Sequence, residues 1–190
     1  MAWRATAGGL TAGLLLLAPV QTAGAEVRQW SVVPARSEIT MRLTAFGAAQ
    51  SGRFADWSGD IRFDPAAPEA ARVAIDVRAA SLHMGQTALT RRAVGPGFLE
   101  VERYPSIVFR LTSLERAGPT QFTARATVTM KGRTRPVVFP AVLRVEGETA
   151  QMSGGFSLDR AAFDIGTRGP WNAVIGRQVR VDVSLVSRAS

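Results

Sequence analysis

Few side chains in this sequence are equipped for catalysis. His83 is the one histidine among 190 residues, and cysteine is absent. Without Cys there are no disulfides, thiolate zinc sites, iron–sulfur clusters or cysteine nucleophiles. A single His cannot build a multi-histidine metal site, and a Ser-His-Asp triad would have to form around His83 alone. His83 lies in a turn-like segment and reads as a surface or capping residue. The chain contains neither a G-x-S-x-G elbow nor an H-E-x-x-H zinc helix. Asp60, Asp64 and Asp76 fall on the polar parity of separate runs, so spacing establishes no paired-carboxylate site. Asp159-Arg160 reads as a local ion pair or turn. Arg91-Arg92 offers charge-assisted donors to an anionic head such as a pyrophosphate, and the same pair also suits a solvated helix face. These residues offer no catalytic constellation, and a protein that is not an enzyme is expected.

The elements that would position them are mostly strands. Apolar and polar residues alternate along much of the chain, the signature of half-buried strands. Met41, Leu43 and Ala45 oppose Arg42 and Thr44. Trp57, Ile61 and Phe63 oppose Asp60 and Arg62. Val73, Ile75 and Val77 oppose Asp76 and Arg78, and Ile107, Phe109 and Leu111 oppose Arg110 and Thr112. Phe122 to Met130 and Val179 to Leu185 continue the pattern. Asp64-Pro65, Gly118-Pro119, Lys131-Gly132, Glu146-Gly147 and Gly169-Pro170 separate the runs as turns. With opening and late strands near 27–33, 137–145 and 151–158, about eight strands are expected. Residues 82–103 lack alternation and predict one short helical insertion, with Gln86–Val94 as its helix and Gly95-Pro96-Gly97 as its stop. The fold expected is all-β, an antiparallel eight-stranded barrel. A barrel of that size holds either its own side chains or one slender ligand, and the aromatics leave both readings open.

Residues 1–25 read as a cleavable signal peptide. Arg4 supplies the positive end, Gly8 to Val20 the apolar stretch, and Ala23-Gly24-Ala25 the small-residue cleavage site. The apolar stretch is shorter than the ~20 residues of a spanning helix, which makes an uncleaved anchor the weaker alternative. Lipid attachment at the signal end would need a Cys. Residues 26–190 then form the mature domain, and export without disulfides suits a bacterial periplasm. The net charge is +8, and Lys131 is the only lysine, so every other basic residue is Arg. These Arg residues are spread over nearly every strand and not grouped with stacking aromatics, which argues against nucleic acid. Attraction to an anionic membrane surface or a plain soluble outer face remain the two readings.

Several segments carry a family likeness. Trp30 to Ile39, Gly52-Arg53-Phe54 with Trp57 to Pro65, Ala80 to Gly85, Glu102 to Phe109, Thr127 to Val137 and Leu158 to Gly166 stand in the order and spacing of the YceI family. The chain resembles these periplasmic, lipocalin-like isoprenoid-binding proteins over about Trp30 to Val186. The resemblance implies a barrel that stores or transports an isoprenoid lipid, of polyprenyl or quinone type, with no other cofactor and no metal. The apolar lining it implies comprises Phe54, Trp57, Phe63, Phe109, Leu111, Phe122, Val128, Met130, Phe139, Phe156, Phe163, Trp171 and Val181. Arg91 and Arg92 are the head-group candidates. A homodimer is also implied. The sequence departs from the family where many members carry His: those positions are Ala45 and Arg92 here. The alternative function is an accessory, stress-response interaction protein whose barrel is filled.

Overall fold

In the computed structural model, which describes residues 27–190, the alternating runs form eleven strand segments. They are β1 (Arg28–Val32), β2 (Glu38–Ala45), β3 (Ala48–Phe54), β4 (Trp57–Asp64), β5 (Ala67–Arg78), β6 (Leu82–Met84), β7 (Ser106–Arg116), β8 (Gln121–Met130), β9 (Arg133–Glu146), β10 (Thr149–Asp159) and β11 (Gln178–Ala189). Every pairing between them is antiparallel. The order β1-β4-β5-β7-β8-β9-β10-β11 returns to β1, which closes a ring of eight. β2, β3 and β6 prolong β1, β4 and β5 beyond short breaks. The eleven segments are therefore eight long strands, each paired with its sequence neighbours, in the lipocalin-like manner. The expected signal peptide lies outside the described residues.

The breaks have local causes. Pro34 opens a 3-10 turn over Pro34–Arg36, where its fixed φ and missing N–H interrupt the ladder. Ser37 then repairs the wall: its hydroxyl donates to Val33 O at 2.9 Å and accepts from Val186 N at 2.9 Å. A second 3-10 turn, Ala79–Ser81, separates β5 from β6, and the Ser81 hydroxyl donates to Arg78 O at 2.7 Å. Hydrogen bonds such as Ala55 N to Ser81 O at 3.1 Å and Val33 N to Val186 O at 2.8 Å carry the wall across the bends.

One end of the barrel is closed by packing. Trp30 stacks on Phe63 with ring centroids 4.5 Å apart, and its indole N–H donates to Phe63 O at 3.1 Å. Ile39, Ile61, Ile75, Val77, Ala150 and Leu185 complete this cluster. Burying each large side chain contributes about 1.5–3 kcal/mol.

The other end carries two excursions. The expected insertion begins one step later than predicted: Leu82–Met84 is strand β6, paired with β3, and its first residue is 1 % exposed. Helix α1 (Thr87–Val94) follows. It turns Leu89 and Ala93 inward at i, i+4 spacing, and it carries Arg91 and Arg92 in its last turn, where helix polarity favours cations. The second excursion, residues 160–177, was not expected. It contains a 3-10 turn (Arg160–Phe163) and a one-turn helix α2 (Trp171–Val174).

Candidate binding site

Strand parity points apolar side chains into the barrel, but they do not fill it. A cavity of about 200 Å³ runs inward from the excursion end, and a second of about 60 Å³ lies towards the Trp30 end. Phe109, Phe139, Met152 and Leu185 line both and so form the partition between them. Phe109, Phe139 and Phe156 make its aromatic part, with centroid separations of 6.2, 6.3 and 5.1 Å. Gly154 gives Phe139 its place: a Cβ there would stand 2.9 Å from the Phe139 ring.

The larger cavity is lined by apolar residues except for Gln50, Arg92 and Arg160. It reaches solvent between α1, the hairpin tip at Phe46 and the 160–177 excursion. Exposed Phe46 and Arg92 both line it. Trp171 organises this mouth. Its ring meets Phe46 edge-on at 5.8 Å and Phe98 at 5.9 Å, and the Arg92 guanidinium lies 4.7 Å above it. That cation–π contact holds the one exposed charge that borders the cavity.

Arg160 explains why residues 160–177 hold their shape. Its side chain is buried, and its guanidinium donates to the carbonyls of Ile165, Gly166, Asn172, Ile175 and Gly176 and to the Asn172 side chain. The guanidinium thus spends its donors on main-chain carbonyls, and burial works against its charge by lowering its pKa. The expected Asp159–Arg160 pair does not form as such. Asp159 instead pairs with Arg177 at 2.5 Å and caps the turn by accepting from Ala161 N. The Arg177 hydrogen bond holds the Asp159 carboxyl below its ordinary range.

The neighbouring turn is pinned by Lys131. Its ammonium, 6 % exposed, donates to Glu100 at 2.7 Å and to Asp164 O at 2.8 Å. The Lys131 bond lowers the Glu100 pKa, and the Thr167 hydroxyl does the same for Asp164.

The sequence-derived lining residues divide four ways. Phe54, Val128, Met130, Phe156, Trp171 and Val181 line the larger cavity, and Phe109 and Phe139 line both. Phe63, Leu111 and Phe122 line only the smaller one. Trp57 and Phe163 line neither: Trp57 sits half-buried beside the strand break, and Phe163, in the 3-10 turn after β10, is 1 % exposed within the apolar cluster of Phe139, Phe156 and Leu158. Of the two arginines, Arg92 borders the cavity and Arg91 faces solvent. Phe46, Leu89, Phe98 and Arg160 were missed because they lie at turns or in the excursions, where no alternation marks an inward face. Ala45, a position where the family resemblance expected His, also lines the cavity. His83 is exposed, and its Nδ1 meets Ser81 O at 2.8 Å. Among the described residues no group of three or more His, Asp or Glu side chains gathers as metal ligands would.

The YceI-like domain description matches residues 30–187. The chain belongs to this family. A relative, the UPF0312 protein of Pseudomonas putida strain F1, is 32 % identical over 128 residues, 63 % of this chain and 64 % of that protein. Another from Azotobacter vinelandii is 32 % identical over 117 residues, 62 % and 58 % of the two chains. The matched part thus spans less than two thirds of these relatives. Among solved structures, Burkholderia cenocepacia BcnA superposes with a TM-score of 0.77 at 23 % identity, covering 82 % of this chain and 98 % of that one. A polyisoprenoid binding domain from Saccharophagus degradans, implicated in plant cell wall breakdown, gives 0.70 at 14 % identity over 86 % and 99 %. Both likenesses show the fold.

Proposed function

We propose that the barrel is a non-enzymatic carrier or store for an isoprenoid lipid, of polyprenyl or quinone type, working in the periplasm. The observation that carries this reading is the cavity: it opens at one end and is apolar from its mouth to the Phe139 partition. Its polar side chains are at the mouth, and Arg160 there is already occupied by carbonyls. Such a space rewards a hydrocarbon chain, at about 0.8 kcal/mol for each buried CH₂, and offers no group suited to covalent chemistry. The Saccharophagus neighbour, described as a polyisoprenoid binding domain, supports the ligand class.

Size and polarity refine the fit. A dry cavity of ~150 Å³ accepts a benzene-sized guest, so about 200 Å³ takes one to two isoprene units at the partition. The rest of the chain then occupies the mouth beside Phe46, Phe98 and Trp171. A head group reaching that level meets Arg92, which stands where the family resemblance expected a histidine. This favours an anionic or electron-rich head.

Native mass spectrometry of protein purified from its own cells, followed by lipid extraction, tests the reading. A retained isoprenoid, or uptake of a quinone or polyprenol by delipidated protein, is expected. Repeated recovery of empty protein that takes up neither would overturn it and favour the accessory role without a ligand of its own.

A further inference from the structure

We propose that the mouth of the barrel docks on the surface of an anionic phospholipid bilayer, with Phe46 entering the headgroup layer. The argument begins with a turn. Phe46 and Gly47 join β2 to β3 as a two-residue hairpin, closed by the Ala45–Ala48 pair. Both have positive φ, 54° and 75°, which is the type I′ arrangement. Its first position favours Asn, Asp or Gly, and a bulky side chain there is strained.

Lys131-Gly132 forms the same kind of turn between β8 and β9, with φ of 49° and 70°. There the strain has a local return, because Lys131 is buried on Glu100 and Asp164. Phe46 borders the cavity mouth but has no buried partners of that kind. It is 59 % exposed, the most exposed large apolar side chain among the described residues, and its one ring contact is the edge of Trp171. An aromatic held in a strained turn and turned towards water is placed for something outside the molecule.

Its surroundings identify the partner. Val174, 36 % exposed, is hydrogen-bonded to it through the main chain, Phe46 N donating to Val174 O at 2.8 Å. Phe46, Val174 and the half-buried Trp171 therefore form a small apolar tip around the mouth. The charge beside it is cationic. The acidic groups at this end are mostly engaged: Glu100 by Lys131, Asp159 by Arg177, Asp164 by Arg133 and Arg168. Glu102 is the exception and is exposed. Arg91 and Arg92 face out with no carboxylate partner. An apolar tip flanked by Arg92 and its helix neighbour Arg91 fits a bilayer interface carrying negative lipid headgroups, where aromatics settle at headgroup depth and each cation adds attraction. The tip is too small to hold a protein partner by burial alone.

The docking surface and the barrel contents are separable. Co-sedimentation with vesicles of phosphatidylglycerol mixed with phosphatidylcholine, and with phosphatidylcholine alone, tests the surface without any interior ligand. The wild type is expected to bind the mixed vesicles, weakly or not at all the neutral ones, and to release in high salt. Brominated acyl chains should quench Trp171 at the mouth. Phe46→Asn places a favoured residue in the turn, so its Tm should match or exceed that of the wild type, while vesicle binding falls ~tenfold. Arg91→Glu, on a residue that does not border the cavity, should weaken binding to the anionic vesicles ~tenfold and flatten its salt dependence. Wild type that ignores anionic vesicles, or a folded Phe46→Asn that binds them equally well, overturns the proposal. Failure of lipid uptake in solution would count against the carrier reading and leave docking standing.

Discussion

Replacing Phe139 by Ala should lengthen the hydrocarbon chain that the barrel accepts. Phe139 is 6 % exposed, lines both cavities, and stacks obliquely on Phe156 at 5.1 Å. Removing its ring frees roughly 100 Å³, which at ~24 cal/mol per Å³ accounts for ~2.4 of the ~3–5 kcal/mol usual for Phe→Ala. The void would connect the spaces of about 200 and 60 Å³ into one of roughly 350 Å³. The apo variant is therefore less stable than the wild type but more capacious. An isoprene unit buries five carbons, worth up to ~4 kcal/mol if fully enclosed, or about a thousandfold in affinity. Calorimetric titration with isoprenoid alcohols of two, three and four units reads the outcome. Wild-type affinity should stop rising once the chain meets the aromatic partition. The variant should keep gaining for about one further unit, and saturating ligand should restore part of its lost stability through mass action. If both proteins level off at the same chain length, the partition is not what limits the ligand and the reasoning fails.

Other outcomes follow from the mouth. Arg160→Met leaves the carbonyls of Ile165, Gly166, Ile175 and Gly176 without their donor, at ~1 kcal/mol or more each. A loss of ~3 kcal/mol or more is expected in denaturant unfolding, with faster amide exchange confined to residues 160–177. Unchanged exchange there would show that the guanidinium is dispensable. Acid should weaken the fold in a particular window. Glu100, Asp159 and Asp164 have folded pKa values below their unfolded ones, so their contribution is present above about pH 4 and is lost as pH falls through the lowered values. Lys131→Met removes the main cause of the Glu100 shift. Its Tm should be lower at neutral pH, and its decline in acid shallower; parallel Tm–pH curves for the two proteins would contradict the assignment.

The wall of the barrel was readable from residue types because alternation in a strand is a geometric consequence of the pleat. Phe122, Val128 and Met130 face inward in β8 for the same reason that Arg125 and Thr127 face out. Alternation does not report depth, and so it did not separate the two cavities or reveal that Phe163, in a turn, is packed into the core without lining either one. The distance each ring reaches depends on what stands opposite, such as Gly154 beneath Phe139. The excursions were harder. Residues 160–177 carry no period of either kind, because their shape comes from one buried guanidinium collecting carbonyls. β6 was hidden inside an aperiodic stretch, since three residues are too few to show a pattern. Phe46 gave no signal at all, because its meaning lies in a backbone angle.

The seam between β1 and β11 has a consequence for how the molecule comes into being. Trp30 lies opposite Ala189, Val32 opposite Ser187, and the Ser31 and Ser190 hydroxyls meet at 2.6 Å. β11 also zips along β10 from Asp159–Gln178 to Thr149–Arg188 and along β2 from Arg42–Arg180 to Glu38–Ser184. The first strand thus waits for the last, across nearly the whole described length. Contacts of that separation form slowly. Throughout the interval, β10 and β1 present bare edges to any other strand nearby. Shortening the C-terminus by a few residues therefore removes the β1–β11 pairs while β10 and β2 still hold the rest of β11, so the barrel parts along β1 and leaves that edge open to aggregation or proteolysis before any ligand is met.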